Sequence, residues 1–187
     1  MRYSTTVFLA LLAFGAGLPG VQAAVGSNED TAAPPVSVNW VHRHATFNYY
    51  GITTAYTCES LESKVRLILL YLGARKDAKA TARGCPAWDV PSHSAWVETD
   101  FYVPAPSDEA GSADALPAHW TQRMVSPRHP GFMGEGDCEL MQSLKDLVTH
   151  SFNFHALTYE TSCFPREVVL DSFSMKAEVL QAALKPP

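Results

Sequence analysis

Apolar residues recur at helical spacing in two places along this chain. Leu61, Val65, Ile68, Leu69 and Leu72 form the first stripe, and Met141, Leu144, Leu147 and Val148 the second. Thr57 precedes the first as a candidate N-cap, with Glu59 and Glu62 suited to the positive end of the helix dipole. Gly73 ends it where a left-handed residue costs little. Asp137 stands before the second, which is expected to run to about Phe152.

Between and around these helices the pattern changes to β-branched and aromatic residues. Val36 to Tyr56 predicts one strand near Thr46 to Tyr56 and an earlier one near Ser37 to His44. Lys76 to Gly84 and His155 to Thr161 are expected to return as strands after the two helices. Ala95 to Val103 and His119 to Ser126 form a further strand pair, separated by the Pro-, Ser- and Gly-containing stretch from Pro104 to Pro117. After Pro165, Val168 to Phe173 is expected as an edge strand and Ser174 to Leu184 as a short amphipathic helix.

Both helical stretches are framed by cysteines. Cys58 and Cys85 are 27 residues apart, and Cys138 and Cys163 are 25 apart. An offset of 80 residues superimposes Cys58 on Cys138, Glu59 on Glu139, Ser63 on Ser143 and Leu67 on Leu147. Such self-similarity points to one supersecondary unit used twice. A helix of about 15 residues advances about 22 Å, and a strand of about 7 or 8 residues covers about 25 Å in return. The returning strand therefore ends level with the helix start, which predicts Cys58–Cys85 and Cys138–Cys163 disulfides among the three possible pairings. The element order reads β-α-β-β-α-β with extra hairpin material in the middle. Right-handed crossovers then favour an α+β, ferredoxin-like sandwich, both helices on one face of a mostly antiparallel sheet.

The N-terminus predicts a compartment that suits these disulfides. Met1-Arg2 is positive, Val7 to Leu18 is apolar and uncharged, and Val21-Gln22-Ala23 ends in small residues, as in a signal peptide over residues 1–23. Residues 24–36 then read as a flexible leader and residues 37–187 as one globular domain. The expected location is periplasmic or secreted, with no integral membrane segment after cleavage. A net charge of -5 with scattered lysines and arginines argues against a nucleic-acid partner.

Candidate chemistry is sparse. No cysteine pair has the two-residue spacing of a redox motif or zinc ribbon. The chain also lacks a Gly-x-Ser-x-Gly elbow and a His-Glu-x-x-His helix. His42 and His44, two apart on a strand, project from one face and form a candidate zinc or copper pair. His93, His119, His129 or His155 is the candidate third ligand. The Gly-rich run from Ser126 to Gly136 leads into the second helix with Arg128 and His129 but no Walker lysine, so a turn is the simpler reading than an anion cradle. Trp40, Trp88, Trp96 and Trp120 suit a sugar or peptide groove, although aromatics in sheets are more often core. The expectation is a noncatalytic exported module without cofactor, binding a protein, peptide or small ligand. The alternative is a periplasmic metal-binding protein.

Overall fold

No glycine or proline interrupts Val36 to Tyr50, and the computed structural model shows one 15-residue strand there, β1, in place of two shorter ones. The structure describes residues 34–86, 90–107 and 115–183. The expected signal peptide, most of the leader and Trp88 lie outside the described residues. β1 stops at Gly51, not at Tyr56. The Tyr49 hydroxyl occupies the space a β-carbon on Gly51 would need and donates to the Thr54 carbonyl at 2.5 Å. The chain must turn at this close approach, and only Tyr56 rejoins a strand-like bridge, with Ser92.

Helix α1 spans Cys58–Tyr71, with the Thr57 hydroxyl accepting the Ser60 amide at 3.1 Å. Leu61, Val65, Ile68 and Leu69 are fully buried, as their spacing requires. Gly73 follows with φ of 104°, and a β-carbon there would sit 2.6 Å from the Leu180 carbonyl oxygen. The next elements are β2 (Lys79–Arg83), β3 (Ser94–Pro106) and β4 (Leu116–Val125). A 3-10 turn at Glu135–Asp137 then leads into α2 (Cys138–Ser151), followed by β5 (Phe154–Thr161).

The last element departs from expectation. Phe173–Ala182 is a strand, β6, and replaces both the edge strand at Val168 to Phe173 and the helix at Ser174 to Leu184. Lys176, Ala177, Glu178 and Leu180 are good helix formers, but Phe173, Met175, Ala177 and Val179 alternate into the core. Two flanking strands satisfy the β6 backbone, which outweighs a weak propensity.

One six-stranded sheet results, in the order β2-β3-β1-β4-β6-β5, with every pairing antiparallel. The fold is α+β with two helices. Element order and sheet order together make two β-α-β-β halves, β2-β3-β1 and β4-β6-β5. They join at β1 and β4 through only three pairs, Val36–Ala118, Ser37–Pro117 and Val38–Leu116. Both helices bury their stripes in one core with Phe47, Val97, Phe101, Met175 and Val179. A smaller cluster of Val38, Ala118 and Leu180, flanked by Trp120 and Leu116, lies on the opposite face and contains no helical residue.

The two disulfides are Cys58–Cys85 and Cys138–Cys163, with Cα separations of 5.8 and 5.7 Å, inside the usual range. No helix among the described residues is long and apolar enough to cross a membrane. Because Leu69 is wholly buried, Leu69→Ala is expected to cost roughly 2 to 5 kcal/mol. Urea unfolding measures this, and a change below about half a kcal/mol would place that side chain outside the core.

Candidate ligand-binding face

Alternation along β1 and β3 sends every second side chain to the face that no helix covers. The register sets His42 beside Tyr102, His44 beside Asp100, Thr46 beside Glu98 and Asn48 beside Trp96. His42 and His44 share this face, as their spacing predicts, and each meets a carboxylate. His42 Nε2 lies 3.0 Å from Asp100 Oδ2, and His44 Nδ1 approaches the same oxygen at 3.9 Å. His44 Nε2 is 3.7 Å from Glu98 Oε1. All four side chains stand about one-third to one-half exposed, so their mutual attraction is screened.

Arginine and aromatic rings continue the row. Arg75, on the connection between α1 and β2, donates its backbone amide to the Tyr102 carbonyl at 2.9 Å. Its guanidinium carbon sits 3.7 Å from the Tyr102 ring centre and 5.9 Å from that of Trp40. Asp77 grips the other edge of the guanidinium in a fork of 2.8 and 2.6 Å. The fork lowers the Asp77 carboxyl below its ordinary range and raises Arg75 further. His42 and Tyr102 rings lie 5.0 Å apart. Trp40, Arg75, Tyr102, His42, Asp100 and His44 therefore form one continuous row.

A cavity of about 480 Å³ opens at the Trp40 end of this row. Pairing between β1 and β4 stops at Val38–Leu116, so beyond Val38 only β3 remains as a strand neighbour of β1. Trp40, Leu70, Gly73, Arg75, Leu116 and Gln181 line the space left beside it. The Gln181 Nε2 amide is buried there with no partner. A buried donor left unpaired costs about 1 to 3 kcal/mol, which a ligand acceptor would recover only if the Gln181 side chain turned its amide into the cavity. The Gly73 hydrogen leaves the room this amide occupies, since a β-carbon would approach Nε2 to 3.0 Å.

Three of the four tryptophans belong to this side of the sheet. Trp40 borders the cavity, Trp96 is 40% exposed, and Trp120 stacks on His155 at 3.8 Å beside the smaller apolar cluster. The expected third metal ligands do not converge on His42 and His44. His93 contacts the Gly51 carbonyl at 2.6 Å, His119 is on β4, His129 precedes the cis Pro130, and His155 lies against Trp120 and Glu178. Among the described residues, no group of three or more His, Cys, Asp or Glu is placed to hold a metal ion.

The Ser126 to Gly136 segment is a turn whose polar groups serve the protein itself. Gly134 gives its amide to Asp137 Oδ2 at 2.7 Å, Glu135 accepts the Asp171 amide at 2.9 Å, and Arg128 pairs with Asp171 at 3.5 Å. Arg75, Glu98, Asp100, Tyr102 and Gln181 were not singled out in the sequence. The signal for three of them was present, because Glu98, Asp100 and Tyr102 repeat the two-residue spacing of His42 and His44. What the sequence lacks is the register that sets the two runs side by side. No protein-family model, curated protein or solved structure matches the chain.

Proposed function

We propose that this chain is an exported, disulfide-stabilised binding module that takes a small ligand in the cavity between Trp40 and the end of α1 and does no chemistry on it. The observation that carries this reading is the unpartnered Gln181 amide in a cavity walled by Trp40, Leu116 and the Arg75 guanidinium. Such a wall suits a ligand with a planar or apolar body and a hydrogen-bond acceptor. The Tyr102–His42–Asp100–His44 row extends the site with polar groups that orient a larger ligand. Export is supported by the Met1 to Ala23 pattern and by two disulfides, which persist in oxidising compartments. The two β-α-β-β halves, with their matching cysteines, support an ancestral unit used twice, in place of a single ferredoxin-like sandwich.

Amide shift mapping of the ¹⁵N-labelled mature protein against monosaccharides, amino acids and short peptides tests the site. A binder is expected to move the Trp40 indole, Gly73 and the Gln181 side-chain amide, and Trp40→Ala or Gln181→Leu should abolish its binding. Shifts confined to another surface, or none with any of these compounds, would remove the proposal. The second reading is zinc or copper on the histidine pair His42 and His44, favoured by their shared face, with no third ligand placed beside them among the described residues. Stoichiometric metal is expected to leave the melting temperature unchanged. A rise that disappears when His42 and His44 become alanine would transfer the function to metal binding.

A further inference from the structure

Among the described residues, Arg123 is a cation with no ion-pair partner. It lies on β4 opposite Ala177 of β6, on the side of the sheet that the helices cover. Its guanidinium carbon sits 4.9 Å from the Tyr71 ring centre. Its Nε is buried with no hydrogen-bond partner, and among the described residues no carboxylate pairs with it. The ring beneath it is held in place, since Tyr71 donates its hydroxyl to the Met124 carbonyl at 3.2 Å and meets Phe132 edge-on. Stacking on tyrosine offsets part of the cost of withdrawing the charge from water, but it satisfies none of the five guanidinium N–H groups. The other arginine on the face described above has its fork filled by Asp77.

A second cavity, of about 610 Å³, lies against this group. Tyr71, Arg123, Met124, Ala156 and Ala177 line it, and its size suits a small organic molecule. Lys176 and Glu178, which flank Ala177 on β6, also line it and cancel in formal charge, so Arg123 decides the sign of the site. The opposite wall comes from the edge strand β5, whose register against β6 shifts between Phe154 and Leu157. A bulge re-aims the side chains around it, and the residue it places at the wall is the small Ala156. The cavity thus combines a guanidinium with an unpartnered Nε, one aromatic face, the apolar side chains of Met124, Ala156 and Ala177, and the polar Gln122 and Thr158.

We propose that this cavity is a binding site for a small organic monocarboxylate, with the carboxylate on the Arg123 guanidinium and the apolar body against Tyr71, Met124 and Ala156. The planar fork matches a carboxylate in two-point contact, which a lysine could not reproduce. This site is separate from the Trp40 cavity: the two share no lining residue.

Benzoate is the probe, with uncharged benzamide as its control. Titration of the ¹⁵N-labelled protein is expected to give saturable shifts at the Met124 and Ala156 amides with benzoate and none with benzamide. Arg123→Met is expected to fold about as stably as the parent, because it removes a half-buried cation whose Nε has no partner. It should weaken benzoate binding roughly ten- to hundredfold, and Arg123→Lys, which keeps the charge without the fork, should fall between. Absence of a saturable shift in the parent would overturn the proposal. So would equal binding of benzoate and benzamide, or benzoate binding that Arg123→Met and Arg123→Lys leave unchanged.

Discussion

Asp137→Ala is expected to destabilise the protein by about 3 kcal/mol, the low end of the range for removing one partner of a buried ion pair, since Asp137 is buried and Lys64 partly exposed. The Asp137 carboxylate, only 4% exposed, accepts Lys64 Nζ at 2.7 and 2.8 Å, the Tyr56 hydroxyl and the Gly134 amide. Lys64 lies in the middle of α1 and Asp137 is the residue before α2, so the cluster ties the body of the first helix to the start of the second. Glu139 extends it by accepting the Thr53 and Thr54 amides at 2.9 and 3.4 Å, which anchors the loop after β1. Loss of the carboxylate leaves a partly exposed ammonium without its counter-charge and the buried Tyr56 hydroxyl unpaired. Urea unfolding of parent and variant gives the number, and a cost under about 1 kcal/mol would mean that water reaches Lys64 freely.

The same cluster sets an alkaline limit. Burial and the neighbouring Asp137 push the Tyr56 phenol far above its ordinary value, and burial with Glu139 does the same for Tyr49. Both remain neutral in the fold while the unfolded chain loses its phenolic protons near pH 10. The unfolded state then binds fewer protons than the native one, so stability falls as pH rises past about 10. Tyr56→Phe is expected to flatten that fall while costing stability at neutral pH.

The second large effect belongs to the disulfides. Replacing Cys58 and Cys85 together by alanine is expected to cost roughly 3 to 4 kcal/mol in the chain-entropy account, because the bond closes a loop over a separation of 27 residues. Cys138 and Cys163, at a separation of 25, should give a similar loss. Non-reducing peptide maps of the parent should show these two links. Denaturant midpoints of the two double variants measure the losses. A linked peptide joining Cys58 to Cys138 would break the correspondence between the halves, and losses below about 1 kcal/mol would show that the bonds restrict the unfolded chain little.

The interior of both helices was legible from periodicity alone, because an isolated stripe such as Leu61, Val65 and Leu69 has only one way to leave water. The disulfide partners were legible for a related reason: a helix and its returning strand have fixed lengths per residue, so Cys58 and Cys85 must end at the same level. The shared face of His42 and His44 followed from the period of a strand. What lay opposite them did not follow, since the pairing of His44 with Asp100 is a matter of register between strands far apart in sequence. The strand state of Phe173–Ala182 was likewise hidden, because its residues suit a helix and only the edges of β4 and β5 make a strand cheaper. Both cavities are tertiary as well. One exists because β4 leaves β1 after three pairs, the other because β5 bulges against β6. Local spacing decides which way a side chain points, whereas the empty space in front of it depends on where distant segments stop touching.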